Sequence, residues 1–126
     1  MTRALIALLA AGMIAAAPPP TPPTGLDGDW IVDLTAKAGD PPYRQPMRLT
    51  LASDGTVSGS FYRSTIEAGR WKTDRGRTCV SFRTTDGKGP YHTAACLSGD
   101  TVQGQTWAEH RGFLFNWNAT RGRLAD

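Results

Sequence analysis

Beyond position 25, short runs of alternating apolar and polar residues are broken by turn residues about every ten positions, the pattern of an all-β sandwich or barrel. The pattern predicts eight strands, at about 28–35, 46–52, 56–62, 66–72, 78–84, 90–97, 101–107 and 112–119. No window in this part of the chain sustains a 3.6-residue period, so little helix is expected there. Register follows from the rule that directly opposed residues share a face. A loop at Ser53-Asp54-Gly55 pairs Leu51 with Val57, Leu49 with Gly59 and Met47 with Phe61, all suited to the inside. Setting Cys79 opposite Cys96 brings Val80 to Ala95 and Phe82 to Thr93, and leaves Ser81, Arg83 and His92 outside. A Gly99-Asp100 turn sets Leu97 beside Val102 and Ala95 beside Gly104. In the last hairpin Thr106, Gly104 and Val102 are expected against Phe113, Phe115 and Trp117. The fourth strand stays open: either Ile66-Ala68-Arg70 or Glu67-Gly69-Trp71 faces inward.

Eight consecutive antiparallel strands with short links predict an up-and-down meander that closes into a barrel, because closure removes the exposed sheet edges. The inward set is bulky: Trp30, Phe61, Phe82, Tyr91, Phe113, Phe115 and Trp117, relieved by Gly59, Ala95 and Gly104. A mostly packed interior is therefore expected, with at most a shallow cup at one end.

The start of the chain changes the picture. Met1-Thr2-Arg3 carries one positive charge, and residues 4–17 form an apolar run of Ala, Leu, Ile and Met with one Gly, ending in small residues. These are the parts of a secretory signal peptide, too short to span a bilayer as a helix. Residues 1–16 are read as that signal, 17–25 as a proline-rich linker of polyproline II type, and 26–126 as the barrel domain. Cleavage after Ala16 removes Arg3 and no acid, taking the net charge from +3 to +2. A periplasmic or secreted location is expected, with no stable membrane insertion after cleavage. In such a compartment Cys79 and Cys96 are expected to form a disulfide, a staple that a domain this small often needs.

Gly28-Asp29-Trp30 opens the first strand and Arg121 follows the last. This arrangement resembles the lipocalin and avidin group of calycin-type barrels, where a Gly-x-Trp begins strand one and an arginine near the chain end lies over the indole. The resemblance implies structural roles for Gly28, Trp30 and Arg121, with the guanidinium stacked on the ring that plugs the closed end. Trp30-Ile31-Val32-Asp33-Leu34, Asp54-Gly55 and Gly59-Ser60-Phe61-Tyr62 extend the similarity on the avidin side. Val32 and Phe61 depart from it, where that family has a polar ligand-binding residue and a hydroxyl-bearing ring, and both argue against biotin held in that mode. The run Phe82-Arg83-Thr84-Thr85-Asp86-Gly87-Lys88-Gly89-Pro90-Tyr91 resembles one in small exported bacterial proteins without an assigned role.

Candidate chemistry is sparse. His92 and His110 have no third ligand spaced for a metal site, and Asp27, Asp29 and Asp33 read as turn and edge residues. The sequence has no Gly-x-Ser-x-Gly elbow and no phosphate-cradling glycine loop. The basic groups Arg70-Trp71-Lys72, Arg75-Gly76-Arg77 and Arg121-Gly122-Arg123 are small and scattered, which argues against a nucleic-acid partner. No catalytic residue, metal or cofactor is expected, and the protein is read as a non-enzyme. Two functions remain. One is a barrel that takes a small apolar or amphipathic ligand, with Trp30 at its base and Phe61, Tyr91, Phe115 and Trp117 on its wall. The other is an exported protein–protein interaction module with a filled barrel, such as a protease inhibitor working through its proline-rich tail.

Overall fold

A computed structural model describes residues 25–125. The signal segment 1–16 and all but the last residue of the 17–25 linker lie outside that range. Among the described residues the chain forms β1 (Gly28–Asp33), β2 (Arg44–Leu51), β3 (Thr56–Phe61), β4 (Ser64–Thr65), β5 (Glu67–Asp74), β6 (Arg77–Thr85), β7 (Pro90–Ser98), β8 (Thr101–Ala108) and β9 (Phe113–Arg121). The two-residue β4 is a short return from β3, so the architecture is an eight-stranded antiparallel meander. It closes because β1 pairs with both β2 and β9, while β2 also pairs with β3. Among the described residues the one helical turn is 3₁₀, at Glu109–Arg111.

Register matches the hydrophobic pattern at three of the four hairpins read from sequence. Leu51, Leu49 and Met47 face Val57, Gly59 and Phe61. Cys79, Val80 and Phe82 face Cys96, Ala95 and Thr93, and Leu97 and Ala95 face Val102 and Gly104. The last hairpin differs by two residues: Thr106 lies opposite Phe115, Gly104 opposite Trp117 and Val102 opposite Ala119. The cause is the connection, where β8 runs on to Ala108 and the 3₁₀ turn ends on Gly112 in the left-handed region. An even shift keeps each face but moves Phe113 to the barrel lip, where it is 45% exposed rather than inward.

The open question at residues 66–71 is resolved by a bulge. Register slips between Glu67 and Arg70, and Ala68 takes φ +51°. An extra residue reverses the alternation, so Ile66 is buried on one side of the bulge, and Gly69 is buried and Trp71 half-buried beyond it. Each sequence alternative is correct for half of the strand.

The core fills the lower and middle barrel. Leu26 and Trp30 are sealed at the closed end with Leu49 and Val102. Above them Phe61 packs on Phe82 and Trp117, with ring centroids 5.6 and 5.4 Å away. The Trp117 ring lies over Gly104, where any Cβ would collide with it. The disulfide Cys79–Cys96 joins β6 to β7 across the outer face, Cα to Cα 4.0 Å.

Candidate functional site

The two ends of the barrel are built differently. At the closed end the Arg121 guanidinium lies 4.2 Å from the Trp30 ring centroid. It also donates to the carbonyl of Asp27, at 2.9 Å, and to that of Gly25. The Trp30 indole N–H donates to the Leu26 carbonyl at 2.8 Å, so the segment before β1 is tied down by both partners. Gly28 sits at φ +119° directly under the guanidinium. Gly28, Trp30 and Arg121, the three residues given structural roles by the resemblance, thus lie together at this end.

The opposite end opens into a cup of about 410 Å³. Phe61, Thr106 and Phe115 form its lower part, with Thr84, Tyr91 and Ser64 on the walls. Tyr43, Tyr62, Asp86, Arg111 and Phe113 stand around the mouth. The cup's aromatics pair off: Phe113 at the mouth meets Phe115 below it edge to face at 3.9 Å, and Tyr43 meets Tyr62 at 6.1 Å. Tyr62 and Arg63 both have positive φ, 53° and 66°, in the tight β3–β4 turn. Left-handed backbone at non-glycine residues is strained, and here the strained turn carries Tyr62 to the mouth.

A charged chain crosses one side of the rim. The Tyr91 hydroxyl donates to Asp86 at 2.8 Å and accepts from Arg111 at 3.0 Å. The Lys88 backbone N–H, and then the Tyr91 hydroxyl, hold the Asp86 carboxyl below the ordinary carboxylate range. The same Tyr91 contact raises Arg111. His110 packs edge-on against Tyr91 at 5.1 Å, beside this chain.

Below the rim the polar groups are neutral and buried. Thr84, Thr93 and Thr106 are 3%, 2% and 1% exposed. Thr106 accepts the Trp117 indole N–H at 3.0 Å and shares a hydrogen bond with Thr93 at 2.9 Å. No partner for the Thr84 hydroxyl occurs among the described residues.

Of the five residues expected to bind ligand, Phe61, Tyr91 and Phe115 come together in the cup. Trp117 lies beneath it, buried and held by Thr106. Trp30 is fully buried at the other end and belongs to the plug. Sequence reasoning missed the threonines, Tyr43, Tyr62 and Arg111. The Phe82–Thr93 pairing already set Thr93 inward, and the same alternation sets Thr84 there, but threonine is also an ordinary strand former.

The residues considered for other chemistry have local structural partners. Asp27 accepts the Leu51 N–H at 2.7 Å, and Asp33 accepts the Thr35 N–H at 2.9 Å. Asp29 bridges Arg48 at 2.7 Å and Arg123 at 3.2 Å, which pairs charges along a shallow outer groove. His92 is exposed opposite Arg83. Among the described residues no group of three acidic, histidine or cysteine side chains converges for a metal, and no helix is long and apolar enough to cross a membrane. Comparison of the chain with protein-family models, curated proteins and solved structures finds no match.

Proposed function

We propose that this is an exported binding protein that takes a small apolar or amphipathic molecule into the open end of its barrel. The observation that carries this reading is the aromatic-walled cup of about 410 Å³ above a packed barrel, within the roughly 300–1,000 Å³ range of small-molecule sites. Apolar walls supply affinity through burial, and the few polar groups set orientation. The resemblance to lipocalin and avidin barrels supports the same use of the open end, and the amino-terminal signal pattern with the disulfide supports export. Binding without turnover is favoured because Asp86, the carboxylate at the cup, already accepts from Tyr91 and the Lys88 backbone. The test is a titration of the mature protein against fatty acids, retinoids, haem and flavins, with native mass spectrometry of protein taken from its own host. A saturable ligand or a retained mass supports the reading; flat titrations and a bare mass contradict it.

One feature favours the alternative, an exported protein–protein interaction module. Trp107 and Leu114 face each other on the outside of β8 and β9, 40% and 54% exposed. If that patch is the working surface, Trp107→Ser with Leu114→Ser abolishes partner capture and leaves small-molecule binding untouched.

A further inference from the structure

Deepening the ligand-cup reading and resting on it, we infer that the cup selects a neutral molecule carrying a hydrogen-bond acceptor, a ketone, amide or ether oxygen on an otherwise apolar, flat body. The argument is a count of buried hydrogens. The Trp117 indole and the hydroxyls of Thr84, Thr93 and Thr106 supply four donor hydrogens. Trp117 gives one to Thr106, and the Thr93–Thr106 pair uses one more. Two hydrogens therefore have no acceptor among the described residues, and one belongs to Thr84, 97% buried on the cup wall. Buried donors are rarely left unmade in native proteins.

The second hydrogen is steered toward the cup as well. If Thr93 donates to Thr106, the Thr106 oxygen accepts from both Thr93 and Trp117 and its own hydrogen is released. Thr106 lines the cup, so an acceptor oxygen entering there favours that arrangement. Charge argues for neutrality: among the described residues no cationic side chain lies beside the threonines, and the one that lines the cup, Arg111, is held at the rim by Tyr91. A carboxylate driven to the floor would be a buried, unpaired charge. The aromatic faces of Phe61, Phe115 and Tyr91 complete the match with a flat apolar body.

Three probes of one shape test this by NMR-monitored titration of the barrel: 2-acetonaphthone, 2-isopropenylnaphthalene and 2-naphthoate. The first offers an acceptor oxygen, the second replaces it with a methylene, and the third carries a charge. The ketone is expected to bind about tenfold or more tightly than the alkene, with naphthoate weakest. Thr84→Val is expected to narrow the ketone–alkene gap severalfold, the Thr106 hydroxyl keeping the remainder, whereas Thr84→Ser, which keeps the hydroxyl and guards against misfolding of the first variant, preserves the gap. Equal ketone and alkene affinity in the natural protein, tightest binding by naphthoate, or an unchanged gap in folded Thr84→Val overturns the inference while leaving the cup a ligand site. If none of the three binds, both the inference and the ligand-site reading fall.

Discussion

Thr84, Thr106 and Arg121 carry predictions of opposite sign at the scale of single residues. Thr84 has a buried hydroxyl with no partner among the described residues, so removing it should help folding. Thr84→Val is expected to raise the unfolding free energy by about 1 kcal/mol in urea titrations, even as it weakens acceptor ligands. Thr106 anchors the Trp117 indole. Thr106→Val leaves that N–H buried and unsatisfied, and is expected to cost about 1–3 kcal/mol by the same measurement. Arg121 combines ring stacking with two backbone carbonyl bonds, so Arg121→Ala is expected to cost about 1–3 kcal/mol. Arg121→Lys should recover only part, because a lysine is a point donor without the planar fork. The sequence already exposed the arginine, because Gly-x-Trp and a late Arg form a recognisable pair. It did not expose Thr84, because nothing in the sequence distinguishes a threonine with a partner from one without.

Elements were legible wherever neighbouring strands share a short turn. A period of two and adjacent hairpins leave one register that turns most apolar residues inward, hence the agreement at Leu49–Gly59 and Val80–Ala95. The misses share a cause, extra residues whose presence composition does not signal: one in β5 and two at β8–β9. In β5 that residue is Ala68, left-handed at φ +51° where glycine is the ordinary choice. Ala68→Gly is therefore expected to hold or raise stability by up to about 1 kcal/mol, and Ala68→Val to lower it by about 1–2 kcal/mol, read as shifts in the urea midpoint. At β8–β9 it is the 3₁₀ turn that lengthens the connection. The β6–β7 staple gives a further test. With its cysteines 17 positions apart, Cys79–Cys96 is expected to contribute about 3 kcal/mol on the chain-entropy model. Reduction should lower the denaturation midpoint accordingly, without changing the far-ultraviolet spectrum at zero denaturant.

The whole molecule is a barrel with one end locked and one end open. Its acid response follows from four carboxylates held below their ordinary range: Asp29 by Arg48, Asp33 by Thr35, Asp54 by Thr56 and Asp86 by the Lys88 N–H. A carboxylate depressed in the folded state stabilises fully above its ordinary pKa and less as pH falls through the folded value. Stability is thus expected to be insensitive to these groups above pH ~5 and to fall below pH ~4, with Asp86→Asn blunting part of the drop. Closure and the plugged base were legible in the sequence. A shallow cup at one end was also expected, but its size was not legible, because it depends on the two-residue shift that moves Phe113 to the lip and on the turn that raises Tyr62. The most direct test of the central claim is chemical-shift mapping of the ¹⁵N-labelled barrel titrated with 2-acetonaphthone. Saturable shifts confined to Thr84, Tyr91, Thr106 and Phe115, with Asp29, Arg48 and Arg123 at the closed end unmoved, are the predicted result. Shifts centred on Trp107 and Leu114, or no shifts at saturating probe, would contradict it.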